Sequence, residues 1–429
     1  MMTIAFPDGA RRPFAPYTRA GLMLADSPEA RDGALIGALV NHDAVSLDYP
    51  VPCDSTVAPL TVQDPNGWRM LERSISFLLA KAIQEAFPRA VFSIDYSMGP
   101  GLYCSFRAAP DADPGIAAGG LAAVERIMRR DVAANLPIAC RLMAFTEAVR
   151  HFQELGRQDT VKRLQYHNPP YLLVASCGNA SVLPQGFLMH ATGKLGRFRL
   201  IPYPPGFVLQ LPDPDHPHAD PPPFEDQPHL FRIFQEHKQW GRILDIHTVG
   251  DLNTLVSAGG ISDFIKVAEA LHERKVADIA DELVRRNSRV VLVAGPSSAG
   301  KTTFTKRLAI QLRVLGRRPI ALEMDNYFKD GNRDTPVGPD GKPDFEHIEA
   351  LDLEQFNTQM VDLLAGRPVK PPKFDFQTKR QTFDGPPLEL DPSHILIVEG
   401  IHGLNPRLTG MVPESAKFRI YISALSQLS

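Results

Sequence analysis

The chain has 429 residues, 46 basic and 49 acidic side chains, a formal net charge of −3, and 44% hydrophobic residues. That length calls for several domains, near-neutral charge argues against nucleic-acid or membrane affinity carried by bulk charge, and the composition excludes disorder throughout. The 39 prolines are about twice the ordinary share and punctuate the chain unevenly.

From the N-terminus, short runs at 3–6, 34–40 and 44–47 alternate as strands between Pro-Asp-Gly and Asn-His-Asp turns, predicting a small β-rich module over residues 1–62. Residues 70–87 change period: Leu71, Ile75, Leu78, Leu79, Ala82, Ile83 and Ala86 recur at threes and fours, and Pro88 follows, which predicts a helix. Helices are expected near 121–129 and 143–155, and strands at 90–95, 103–108 and 171–176, together an α+β domain over 63–201. Prolines then crowd 202–228, predicting a stiff, extended connector and a domain boundary. Helical patterns at 230–240 and 261–286 make 229–288 a helical connector.

Cys53, Cys104, Cys140 and Cys177 lie far apart with no zinc spacing, so free thiols in a reducing cytoplasm are expected. No apolar stretch reaches the length of a membrane span, and the N-terminus lacks a basic then apolar leader pattern, so neither export nor membrane insertion is expected.

The informative segment begins at 289. Val290, Val291, Leu292, Val293 and Ala294 form the unbroken apolar run of a strand buried on both faces. Gly295, Pro296, Ser297, Ser298, Ala299, Gly300, Lys301 and Thr302 follow in a G-x-x-x-x-G-K-T arrangement, with Thr303 next and a helical pattern ending at Gly316. Such a loop curves its backbone N–H groups around phosphates at a helix N-terminus. Lys301 is expected on the β- and γ-phosphates of ATP, and the Thr302 hydroxyl on Mg²⁺. A second strand, 319–324, ends at Asp325, the candidate base for an acceptor hydroxyl, although an Asp-Asn pair also forms turns. A third strand, 394–398, ends at Glu399, expected to hold Mg²⁺ directly or through water. No Asn-Lys-x-Asp motif for guanine occurs, which favours ATP over GTP.

These segments together, with Asp325-Asn326-Tyr327-Phe328, residues 345–352 and Glu399-Gly400-Ile401, resemble the uridine kinase and phosphoribulokinase family of P-loop kinases. The resemblance implies an ATP- and Mg²⁺-dependent phosphotransferase acting on a hydroxyl of a nucleoside or related sugar. It makes Asp325 the base, Lys301 and Glu399 its catalytic companions, and Phe345 and Glu346 acceptor contacts. The family's substrate segment falls on Phe374-Asp375-Phe376, with Lys379 where the family has His and Gln381 where it has Arg. Lys379 and Arg380 are open either to an anionic or sugar-phosphate acceptor or to a solvated basic pair. The family continues with an arginine-rich lid beyond the position of Ser429, so an incomplete kinase domain, 289–429, with weak turnover is expected.

Residues 3–62 resemble the TGS module of threonyl-tRNA synthetase, a β-grasp fold, and 63–200 its editing domain. That domain's metal-binding His-x-x-x-His falls on Arg73 to Phe77 and its Cys-x-x-x-His on Pro184 to Leu188, side chains that do not bind zinc as imidazoles and thiolates do. His190 is expected to pack or face solvent. The whole arrangement, including segments 241–251 and 268–280, is similar to a bacterial group of nucleoside-kinase-like proteins. The expected fold class is therefore multidomain: a β-grasp module, an α+β domain and a parallel-sheet α/β P-loop domain. Expected partners are a small-molecule nucleoside or sugar, RNA or tRNA through the N-terminal half, and a second copy of the chain. The rival reading is a nucleotide-gated RNA-binding protein without kinase turnover, or an inactive truncated remnant.

Overall fold

Alternating burial builds the first sheet of the computed structural model, which describes residues 1–329, 335–338 and 341–423. Ile4 is fully buried while Thr3 beside it is exposed, as a half-buried strand requires. The sheet runs in the order Arg11–Phe14, Met2–Ala5, Ser55–Leu60, Gly37–Val40, Asp43–Val45. Met2–Ala5 and Ser55–Leu60 are parallel, and the other pairs antiparallel. Met23, Val51 and Val57 close the core beneath it.

Helix Pro65–Ala86 begins ahead of the expected Met70, because its first turn is specified by a cap and carries little of the apolar stripe. The Asp64 carboxylate accepts from the Asn66 N–H, and Pro65 supplies a preset φ at the first helical position. Its buried face, including Met70, Ile75, Leu78, Leu79 and Ala82, packs into the main core of residues 1–257, the first of two compact units. Lys81 reaches from this helix to Asp131, 2.6 Å away and almost wholly buried, on helix Ala118–Ala133.

An antiparallel sheet in the order Arg199–Tyr203, Gly206–Gln210, Gly101–Arg107, Val91–Met98 covers that core. Its second strand corrects the connector expected at 202–228. All five residues of Gly206–Gln210 are buried, and Phe207 is sealed against Phe92. Pro202 sits in the edge strand, where a missing N–H costs no interior ladder bond, and Pro204 and Pro205 occupy the hairpin turn. The carbonyls of Pro221 and Pro222 accept hydrogen bonds from Arg199 and Gln210, which ties the following segment to the same sheet.

Helix Pro228–Leu244 also belongs to this unit. Phe234 stacks on Tyr96 with ring centroids 3.5 Å apart, and Lys238 pairs with Asp95. Helix Val249–Ser257 is held by the pair Asp251 and Lys162.

The second unit, from Ala258 onward, is built on a wholly parallel sheet. Its order is Arg318–Glu323, His394–Glu399, Val290–Ala294, Lys417–Tyr421. One face packs on helices Ile261–Arg285 and Lys301–Val314 through Val276, Leu283, Leu308 and Leu312. The other packs on Tyr327 and on Phe356 and Met360 of helix Leu353–Leu364. No helix among the described residues is long and apolar enough to cross a membrane.

Phe207→Ala deletes a fully buried ring and is expected to cost about 3–5 kcal/mol. Urea unfolding followed by circular dichroism measures this; a loss near zero would mean that residues 206–210 are not part of the core.

Candidate active site

The site forms where the parallel strands end. Val290–Ala294 is buried along its whole length, so the chain turns only after leaving the sheet. Gly295 makes that turn against the last strand, and a Cβ there would collide with the carbonyl oxygen of Ile422. Ser298 (φ 60°) and Gly300 (φ 88°) adopt the left-handed conformation that reverses the loop into helix Lys301–Val314. At the start of that helix the N–H groups of Lys301, Thr302 and Thr303 have no intrahelical carbonyl to bond, and the helix dipole adds partial positive charge there.

The Lys301 ammonium donates to the carbonyl oxygens of Gly295 (3.0 Å) and Pro296 (2.9 Å), which holds it at the loop. The Thr302 hydroxyl donates to Glu399 Oε1 at 2.9 Å. Strand pairing enforces this approach, since Val293 stands opposite Glu399 in the parallel ladder. The second carboxylate oxygen, Glu399 Oε2, is buried without a hydrogen-bond partner among the described residues. A hydroxyl and a carboxylate with a spare buried oxygen are hard donors of the kind Mg²⁺ takes alongside phosphate oxygens, so the residues present fit that ion.

Asp325 lies on the 3-10 turn Met324–Tyr327 at the end of the edge strand. Met324 and Tyr327 anchor the turn in the core, and the Tyr327 hydroxyl donates to Gln359 Oε1 at 2.7 Å. Asp325 itself keeps an open side to solvent. Crowding by protein raises its carboxyl above the ordinary aspartate value; Lys301 opposes the rise, Glu399 adds to it, and His402 opposes it. Lys301, Glu399, Asp325 and His402 thus share one electrostatic neighbourhood.

The expected acceptor segment closes on the same turn. Asn326 Oδ1 accepts from the Phe374 N–H at 3.2 Å. Phe328 gathers Phe345, Phe374 and Phe376 at centroid distances of 5.3, 5.5 and 6.0 Å. Lys379, held at φ 58°, places its ammonium 4.9 Å from the Phe345 ring and 6.0 Å from that of Phe376. Gln381 donates to the Phe328 carbonyl at 2.9 Å. Glu346 is exposed, and its backbone N–H donates to Asp344 Oδ1. Ser297 and Thr303 are exposed at the loop and the helix start.

Some features of this site escape motif reading. The motif that contains Asn326 and Phe328 does not show that they tie Phe374 and the neighbouring rings to this turn, and His402, in the loop after Glu399, acts on Asp325 electrostatically. The only sequence signal for His402 is its place just after the strand-end carboxylate.

In the first unit, the positions corresponding to metal ligands in the editing domain do converge, but as packing. The Arg73 guanidinium donates to the carbonyls of Gln185 (3.0 Å) and Phe187 (3.4 Å), and Phe77 and Leu188 are buried. The Ser74 hydroxyl donates to the Met70 carbonyl and accepts from the Met189 N–H. His190 is half-buried, and burial lowers its pKa.

The model of the phosphoribulokinase/uridine kinase family matches residues 290–429. The N-terminal half is similar to the threonine–tRNA ligase of Magnetococcus marinus, 30% identical over 205 residues, covering 47% of this chain and 31% of the ligase. It is similar also to threonine–tRNA ligase 1 of Bacillus subtilis, 29% identical over 203 residues, with the same coverage of each chain. The chain therefore spans about a third of the length of these curated relatives. Among solved structures, "Structure of a Possible Uridine Kinase from Bacillus stearothermophilus" is 20% identical, covers 34% of this chain and 79% of that chain, and has a TM-score of 0.27.

Gly295→Ala forces a Cβ against the Ile422 carbonyl and is expected to destabilise the second unit by roughly 1–3 kcal/mol. Differential scanning calorimetry of the full chain reads this; an unchanged profile would show that the loop relaxes freely.

Proposed function

We infer, from residues 290–429 being a domain of the phosphoribulokinase/uridine kinase family, that the chain transfers the γ-phosphoryl of ATP to a hydroxyl of a nucleoside or related sugar. The observation that carries this reading is the contact of Thr302 with Glu399 in the same electrostatic neighbourhood as Asp325. Phosphoryl transfer needs little covalent help from the protein; it needs the phosphates held, their charge neutralised, and the acceptor hydroxyl aligned. The N–H groups of the loop and Lys301 supply the first two. Thr302 and Glu399 would hold Mg²⁺, which when bound screens charge on the phosphates. Asp325 accepts the proton of the acceptor hydroxyl, and its raised pKa makes it a better base than an ordinary surface carboxylate. Phe345, Phe374 and Lys379 line the acceptor side; Glu346, exposed, contributes at its rim.

Residues 1–62 are proposed as a TGS-type β-grasp module, supported by the parallel pairing of the first and last strands of the mixed sheet. Residues 63–201 are proposed as an editing-like domain that no longer uses zinc, since Arg73, Phe77 and Leu188 fill the ligand positions. The four unpaired cysteines fit a reducing, cytoplasmic setting. The match to threonine–tRNA ligases favours a second role for the N-terminal half, binding of tRNA. Filter binding of a tRNA mixture over a salt series is expected to show affinity falling linearly in log–log form; no binding at low salt would remove that role.

Asp325→Asn is expected to lower acceptor-dependent ADP release by about 10²–10⁴-fold while ATP binding is retained. The rate of the unaltered chain falls as acidification protonates Asp325. Because its pKa is raised, the acidic limb of kcat/KM lies above the ~4 of a free aspartate. A fully active asparagine variant, or a limb below that value, would sink the assignment.

A further inference from the structure

His402 is a half-buried imidazole in the loop that follows strand His394–Glu399. Two glycines on either side press that loop onto its neighbours. A Cβ on Gly400 would stand 2.7 Å from Met324 Cβ, and one on Gly403 3.2 Å from Ala294 Cβ. Met324 directly precedes Asp325, and Ala294 directly precedes the phosphate loop, so the loop that carries His402 packs beside both. The backbone is pinned as well: the Asn405 N–H donates to the His402 carbonyl at 2.8 Å, and the Gly400 N–H to that of Val293.

Within this clamp the ring is only half used. The backbone of Glu346 interacts with it, and Asp325, Asp344 and His347 lie within electrostatic range. Its Nε2, however, is buried and has no hydrogen-bond partner among the described residues. A buried imidazole nitrogen without a partner is destabilising, and a bound polar group removes that cost. Burial lowers the pKa of the ring, so it stays neutral near pH 7 and meets a hydroxyl as a hydrogen-bonding group, not as a fixed charge.

We propose that His402 is an acceptor-binding residue: its Nε2 hydrogen-bonds a hydroxyl of the acceptor adjacent to the one that faces Asp325. The acceptor class it implies is a polyol or sugar with neighbouring hydroxyls, presented to Asp325 and His402 together. This rests on the kinase reading for the identity of the site, but its test does not depend on turnover.

The full chain, labelled with 15N-histidine, is titrated separately with uridine, adenosine, ribose and ribose 5-phosphate, each with and without MgATP. The His402 resonance is identified by its loss in His402→Leu. At least one compound is expected to shift the Nε2 signal. For that compound His402→Leu raises the dissociation constant about tenfold, His402→Gln restores most of the affinity through its side-chain amide, and ATP affinity changes less than about twofold. The proposal is overturned if no compound moves the resonance, if a compound binds or is phosphorylated without moving it, or if the leucine variant weakens ATP as much as the acceptor. A shifted resonance without acceptor-dependent ADP release would remove the kinase reading and leave the binding role of His402 standing. Release with an unmoved resonance would do the reverse.

Discussion

The parallel pairing of Val290–Ala294 with His394–Glu399 is the constraint on which the second unit depends. Both strands are buried almost throughout, so neither can bend before its end, and both end at the same edge. Parallel register then sets Glu399 opposite Val293, within reach of Thr302 one loop later. The next strand outward is in register too: Glu323 also pairs with Glu399, which leaves Asp325 on the same edge. Thr302, Glu399 and Asp325, far apart in sequence, are thus gathered at one edge by one hydrogen-bonding pattern and the burial that makes it rigid.

Charge balance at that edge follows from the packing. Glu399 raises the Asp325 carboxyl and Lys301 opposes that rise. Crowding by the surrounding protein outweighs the lysine, so the Asp325 carboxyl is held above its usual range although the residue keeps an open side to solvent. The aromatic cluster around Phe328 makes an apolar floor beside Asp325's turn, and Lys379 adds a cation resting on its rings. In the first unit the same kind of arithmetic leads elsewhere. Positions that could converge on a metal are occupied by a guanidinium that donates to two backbone carbonyls and by the apolar side chains of Phe77, Pro184 and Leu188. The convergence is retained as structure.

Much of this was legible from residue order. The phosphate loop is read from a contiguous strand, glycine-rich turn and helix, because local backbone geometry alone demands those residue types. Asp325 and Glu399 are picked out by the rule that strand ends face ligands in parallel sheets, and the structure sets both at the ends of neighbouring strands. Helix Pro65–Ala86 was legible through its stripe, although its first turn depends on a cap that periodicity ignores. Prolines at 202–228 misled, because proline marks edge strands and turns as well as connectors, and only pairing with Gly101–Arg107 shows that Gly206–Gln210 is a core strand. His402 carries no pattern of its own.

The residue order by itself determined which atoms can do chemistry: a lysine and a threonine at a helix start, two carboxylates at strand ends, and side chains incapable of holding zinc. These follow from local conformation and from the chemistry of each side chain. Only the tertiary structure decided that Glu399 Oε2 has no hydrogen-bond partner among the described residues, that Phe328 gathers Phe345, Phe374 and Phe376, and that His402 lies within electrostatic range of Asp325. Those outcomes depend on close approach between segments distant in the chain, permitted where glycine has no Cβ and enforced by the register of the sheet.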